Sequence, residues 1–160
     1  MPIARIAIRL ATSADVRAIA DMSRQSIETG LGWSWTPARV AASVRDRETN
    51  VIVAESTAGI VGFAIMTYGD ETAHLTLLAV RENVRRRGLG SILLKWLETT
   101  AVEAGVGRIR LETRAGNGTA LKFYAARGYR TVRRLTGYYR GIEDALRLEK
   151  ELWVPQAARG

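Results

Sequence analysis

The sequence predicts a mixed α/β fold: one mostly antiparallel sheet with a central parallel pair and helices on both faces. Three observations predict it. Strand-like and helix-like periods alternate in the order β α α β β β α β α β β. Residues 51–55 and 60–68 are β-rich and are split by Ser56-Thr57-Ala58-Gly59, the pattern of an antiparallel hairpin. Residues 73–114 read strand, glycine turn, helix, strand, and a right-handed crossover makes those two strands parallel.

Each element has its own signal. Residues 3–10 alternate as a first strand. Thr12 and Asp15 stand three apart as a capping box, and Val16, Ile19, Ala20, Ser23 and Ile27 follow at helical spacing. Gly30 and Gly32 end that helix, and the loop after it carries Trp33 and Trp35. Pro37 opens a second helix to about Asp46, in the first-turn position that tolerates proline. The hairpin is followed by a strand over residues 73–80. The next helix has an apolar stripe at Leu89, Ile92, Leu93, Trp96, Leu97 and Ala101 and ends near Ala104. In the strand at 108–114, Ile109, Leu111 and Thr113 share one face, with Arg108, Arg110 and Glu112 on the other. Asn117 caps a short helix to about Arg127. A strand over 129–135, a loop over 137–141 and a last strand over 145–153 complete the order. Residues 1–154 are expected to form one domain, and 155–160 a flexible tail.

Composition narrows the function. The chain has 160 residues, no cysteine and one histidine. Disulfides, zinc–thiolate sites, acyl-cysteine intermediates and multi-histidine metal sites are therefore excluded, and no metal is expected. No apolar run reaches the roughly 20 residues of a membrane span, so no membrane partner and a cytoplasmic location are expected. The formal net charge is +8, mostly from arginine, which favours an anionic partner.

The candidate anion site is the turn Arg85, Arg86, Arg87, Gly88, Leu89, Gly90, Ser91 between the strand at 73–80 and its helix. Glycine lets backbone approach a ligand, and a helix start offers unpaired N–H groups and a partial positive charge. Such a turn binds phosphate. It lacks the lysine of a P-loop, and Leu93 stands where a dinucleotide fingerprint needs its third glycine.

Arg85, Gly88 and Gly90 match Arg-x-x-Gly-x-Gly. Downstream, Asn117, Ala120, Tyr124, Gly128 and Tyr129 form a second motif. On these residues the chain resembles the GNAT superfamily of acyl-CoA-dependent N-acyltransferases. Leu111-Glu112-Thr113-Arg114 before Asn117, and Tyr138-Tyr139 before Glu143-Asp144-Ala145, resemble most the ribosomal-protein type of N-terminal, α-amine acetyltransferases. Trp33-Ser34-Trp35 departs from that pattern, and His74 stands where those enzymes often carry tyrosine.

The resemblance implies a GNAT-like fold and direct acetyl transfer from acetyl-CoA to a primary amine, with a protein N-terminus as acceptor. It implies that the pyrophosphate of CoA meets Arg85–Ser91, and that Leu78, Ala79 and Val80 meet the thioester and pantetheine through their backbone. Asn117 and Tyr124 line the cofactor, and Tyr124 protonates the leaving thiolate. Glu112, or else His74, takes the proton of the amine; the bland alternative for Glu112 is a solvated pair with Arg110 or Arg114. Tyr138 and Tyr139 are expected at the acceptor. Trp33 and Trp35 form either the opposite lip of its cleft or an anchor for the first helix. A small-molecule amine, such as an amino acid, polyamine or antibiotic, is the alternative acceptor. A CoA-binding domain without catalysis and a nucleic-acid-binding module are the alternatives of another class. The last lacks zinc ligands and the aromatic-basic strands of an RNA-recognition fold, so nucleic acid is not the expected partner. A monomer or homodimer is expected.

Overall fold

The computed structural model describes residues 5–85 and 88–152. It contains seven strands and four helices among these residues, in the order β1 (Ala7–Leu10), α1 (Val16–Ser26), α2 (Pro37–Arg45), β2 (Thr49–Ser56), β3 (Gly59–Tyr68), β4 (Thr72–Val80), α3 (Leu89–Glu103), β5 (Arg108–Arg114), α4 (Gly118–Ala125), β6 (Arg130–Tyr139) and β7 (Glu143–Glu151). This is the expected element order, with short 3-10 turns added at Ser13–Asp15 and Glu82–Val84. The sheet is mixed and mostly antiparallel with one parallel pair, β4 with β5. The expected strand at 3–10 is present from Ala7; its first two residues, and those after Leu152, lie outside the described residues.

The chain clusters into two compact units, residues 1–67 with 76–97, and residues 68–75 with 98–160. In the first, β1 pairs with β2 and β2 with β3, both antiparallel. Asp15 closes the capping box: the backbone N–H of Thr12 donates to its carboxylate at 2.8 Å. Arg9 on β1 donates to the same carboxylate at 2.8 Å, tying strand to helix. Thr36 caps α2 by accepting from the N–H of Arg39, with Pro37 at the helix start. Strand β3 is buried along most of its length, as suits an interior strand. Ile19, Met22, Val40, Val53, Phe63 and Ile65 form the centre of its core. Gly62 is forced by packing: a Cβ there would stand 3.2 Å from both the Ala79 carbonyl and a Leu93 methyl.

In the second unit the first half of β4 runs parallel to β5, with His74 opposite Arg110. Strand β7 pairs antiparallel with β5 on one side and β6 on the other. Ile109, Leu111 and Thr113 are buried and Arg108, Arg110 and Glu112 face the other way, as the alternation predicts. The expected loop at 137–141 is a correction. Strand β6 continues to Tyr139 and β7 starts at Glu143, leaving a tight turn. The reason is hydrogen bonding: the N–H of Gly137 donates to Asp144 at 2.9 Å and that of Gly141 to the Gly137 carbonyl at 2.8 Å. The turn is closed enough to hold Arg140 at φ 54°, an unusual angle for a residue with a side chain.

Candidate active site

The phosphate-binding candidate lies in the first unit. Strand β4 ends at Val80, and Arg85 donates from Nε to the Val80 carbonyl at 3.0 Å. That bond folds the turn back on its own strand, so the Arg85 side chain shapes the turn at its base. Arg86 and Arg87 lie outside the described residues. Gly88 has φ 79°, and the position of a Cβ there is open space. Its carbonyl accepts from the N–H of Ile92 at 3.0 Å, which starts α3. The N–H groups of Leu89 and Gly90 fall in the first helical turn, which has no preceding helical carbonyl to bond. Leu89 is buried, whereas Gly90 and Ser91 are half-buried. Open backbone at a helix start is the donor set that a pyrophosphate fits. Leu78 and Val80 lie on the half-exposed face of β4 and Ala79 on the buried one.

Trp33 and Trp35 also belong to the first unit. The Trp33 indole N–H donates to the Ala20 carbonyl on α1 at 3.2 Å, and Trp35 is a buried core residue. Arg24 stacks on Trp33 at 5.1 Å and Arg39 on Trp35 at 3.8 Å. These contacts serve an anchor for the first helix. Buried Glu28 holds the same loop: it accepts from the N–H groups of Ser34 and Trp35 and from the hydroxyls of Ser23 and Ser34. Burial alone would raise its pKa, but these donors hold the carboxyl below the usual range.

The second unit brings the candidate acid–base residues together. Glu112 on β5 and His74 on β4 meet at 2.6 Å, Oε1 to Nε2. Across from Glu112 in the β5–β7 register stands Arg147, whose Nε donates to Oε2 at 2.9 Å. The Tyr138 hydroxyl, on β6, donates to Oε1 at 3.4 Å. The Glu112 side chain is 6 % exposed and the imidazole of His74 is 42 % exposed. Burial pushes the Glu112 carboxyl up, and the bonds from His74 and Arg147 outweigh it and hold the group below its ordinary range. Glu112 is thus neither solvated nor paired with Arg110 or Arg114. Those arginines bind Glu149 at 2.8 Å and Glu143 at 3.2 Å. The reason is register: in an antiparallel pair a side chain meets the residue opposite it before its own strand neighbours.

Tyr124, on α4, is buried and packs edge-to-face with Phe123 and Tyr129 at 5.1 and 5.5 Å. Burial, then the neighbouring Tyr139, pushes its hydroxyl above the ordinary range, so it keeps its proton at neutral pH. Among the described residues that hydroxyl has no hydrogen-bond partner, and no buried side-chain polar atom there is left unsatisfied. Its oxygen is therefore not completely sealed from solvent. Asn117 caps α4, accepting from the N–H of Ala120 at 3.1 Å. Tyr138 and Tyr139 stack edge-to-face at 5.0 Å, with Tyr138 exposed.

Arg147 is the residue that sequence reasoning missed. A signal for it exists. Written antiparallel, Arg108, Arg110 and Glu112 oppose Glu151, Glu149 and Arg147, and the reversal of sign at the third pair selects this register. Among the described residues no cluster of three or more His, Asp or Glu suits a metal ion. No helix there is long and apolar enough to cross a membrane.

Comparison with known proteins identifies the family. Residues 17–129 match the model of the acetyltransferase (GNAT) family. An uncharacterized N-acetyltransferase of Methanocaldococcus jannaschii is 32% identical over 152 residues, which cover 90% of each chain. The ribosomal protein bS18 alanine N-acetyltransferase of Escherichia coli is 32% identical over 117 residues, covering 70% of this chain and 77% of that one. The crystal structure of Ard1 from Thermoplasma volcanium shares the fold at TM-score 0.84 and 24% identity, covering 93% of this chain and 99% of that one. The chain therefore belongs to the GNAT acetyltransferase family, enzymes that take an acetyl group from acetyl-CoA and place it on an amine.

Proposed function

We propose that the acceptor is the α-amine of a protein or peptide N-terminus. The observation that carries this reading is the end of strand β6. There an exposed Tyr138 reaches the His74–Glu112 pair with its hydroxyl at 3.4 Å and stacks on Tyr139. An edge-to-face aromatic pair beside a proton acceptor suits the first residues of an extended chain whose amine is to be deprotonated. The relative named for acetylating a ribosomal-protein alanine supports the same reading.

The chemistry follows from the residues. A peptide α-amine has a pKa of about 8, so at neutral pH it arrives mostly as ammonium. The His74–Glu112 pair takes that proton. The free amine then forms a C–N bond to the thioester carbon, and the C–S bond breaks with its electron pair on sulfur. Tyr124 gives its proton to the thiolate and regains one from the new amide nitrogen as that nitrogen loses its second proton. Gly88, Leu89 and Gly90 hold the phosphates of the donor through backbone N–H groups. The family resemblance gives the N–H of Val80 the thioester carbonyl, while the Val80 carbonyl accepts from Arg85.

The test is release of free thiol from acetyl-CoA against peptides of varied first residue, their Nα-blocked forms, and small amines. Turnover confined to peptides with a free α-amine is the expected result. Turnover of small amines alone would move the assignment to a small-molecule acceptor. Binding of CoA without turnover of any acceptor would remove the assignment altogether.

A further inference from the structure

We propose that His74, and not Glu112, is the atom-level acceptor of the amine proton, and that Arg147 positions it by holding Glu112 as a fixed carboxylate. This rests on the amine-acetylating reading above. Three of the four lone-pair sites of the Glu112 carboxylate are taken in this arrangement. Its Oε1 accepts from His74 at 2.6 Å and from Tyr138 at 3.4 Å, and its Oε2 from Arg147 at 2.9 Å. Its side chain is only 6 % exposed. Little of the carboxylate is therefore open to an arriving ammonium. The imidazole is in the opposite situation: it is the exposed member of the pair, and Glu112 takes up Nε2 alone. With the proton of the neutral ring on Nε2 and directed at Glu112, Nδ1 carries the lone pair.

The step is then a single proton transfer. An N–H bond of the ammonium breaks, an Nδ1–H bond forms, and one positive charge passes from the acceptor to the ring. The imidazolium so made faces a carboxylate whose ionisation Arg147 has already secured. Among the described residues, Arg110 stands opposite His74 on β5 and is bound to Glu149, and Tyr138 on β6 donates to the same Glu112 oxygen as the ring. The lowered carboxyl of Glu112 agrees with a permanent anion.

His74 is the only histidine of the chain, so its ring is read without ambiguity by NMR titration of the whole protein. The same buffers give the pH profile of kcat/KM with the best peptide acceptor. The acid limb of that profile is expected to coincide with the ring titration. Arg147→Met removes a cation from the carboxylate, so imidazolium is favoured and both curves move to higher pH by about half a unit or more. Glu112→Gln removes the anion and moves both to lower pH by about one unit. Arg147→Lys returns both towards wild type. His74→Gln lowers kcat/KM about 100-fold and abolishes the limb. A limb that survives in His74→Gln overturns the proposal in favour of Glu112. Ring titrations unmoved by Arg147→Met or Glu112→Gln overturn the positioning role. If no peptide turns over, the acceptor assignment fails, and the NMR arms still decide whether Arg147 and Glu112 set the ring.

Discussion

Glu28 and Glu112 are both buried carboxylates held below their ordinary pKa, and they are held by different kinds of donor. Glu28 is satisfied by neutral donors alone, the serine hydroxyls and backbone N–H groups of one loop. None of those donors changes its charge near neutral pH, so the carboxylate is a staple. Glu112 is held by two side chains that carry or accept charge, and one of them is an exposed imidazole. The contrast teaches that burial and a shifted pKa mark a carboxylate as constrained. What decides whether it does chemistry is a titratable partner open to substrate.

Exchange of each carboxylate for its amide tests this contrast most strongly. Glu112→Gln is expected to lower kcat/KM about 100-fold or more with the circular-dichroism spectrum unchanged. Glu28→Gln is expected to keep kcat/KM per folded molecule while losing about 1–3 kcal/mol in urea unfolding. Equal loss of activity in both variants would erase the distinction.

Tyr124→Phe ranks next. It keeps the ring packing and removes the proton donor, so kcat should fall about 100-fold while KM for acetyl-CoA stays put, measured by thiol release. A change in KM alone would reduce Tyr124 to a binding residue. Gly88→Ala sharpens the picture from the first unit. At φ 79° a Cβ costs about 1 kcal/mol, and the distorted turn should raise KM for acetyl-CoA about fivefold with kcat kept.

The smallest effect is on stability against pH. Both carboxylates have lowered folded-state pKa values, so their contribution is fully present above the unfolded value of about 4.3. It is lost as pH falls through the folded values. Unfolding free energy should therefore be level near neutrality and decline below about pH 4, and each amide variant should flatten that decline. A slope unchanged in Glu28→Gln would show that the loop donors are also present in the unfolded chain.

Much of this was legible in the residues. The element order, the capping box at Thr12, the cap at Asn117 and the glycine turn after β4 are local: each depends on residues within a few positions of one another. Glu112 and Tyr124 were marked as candidates by their motifs. The pairing of His74 with Glu112 was not legible, because 38 residues separate them and only the parallel β4–β5 register joins them. Trp33 and Trp35 left two uses open, and their bonds to α1 and to the core serve the anchoring one.

By itself the sequence determined which elements form and where the glycine turn opens a helix, since helix starts, caps and glycine turns are set by neighbours in the chain. Only the tertiary structure decided which charge meets which. Strand register placed Arg147 opposite Glu112, sent Arg110 to Glu149, and left His74 as the open end of the group. A carboxylate on a strand meets its partner through space, and the residues beside it in the chain carry little information about that encounter.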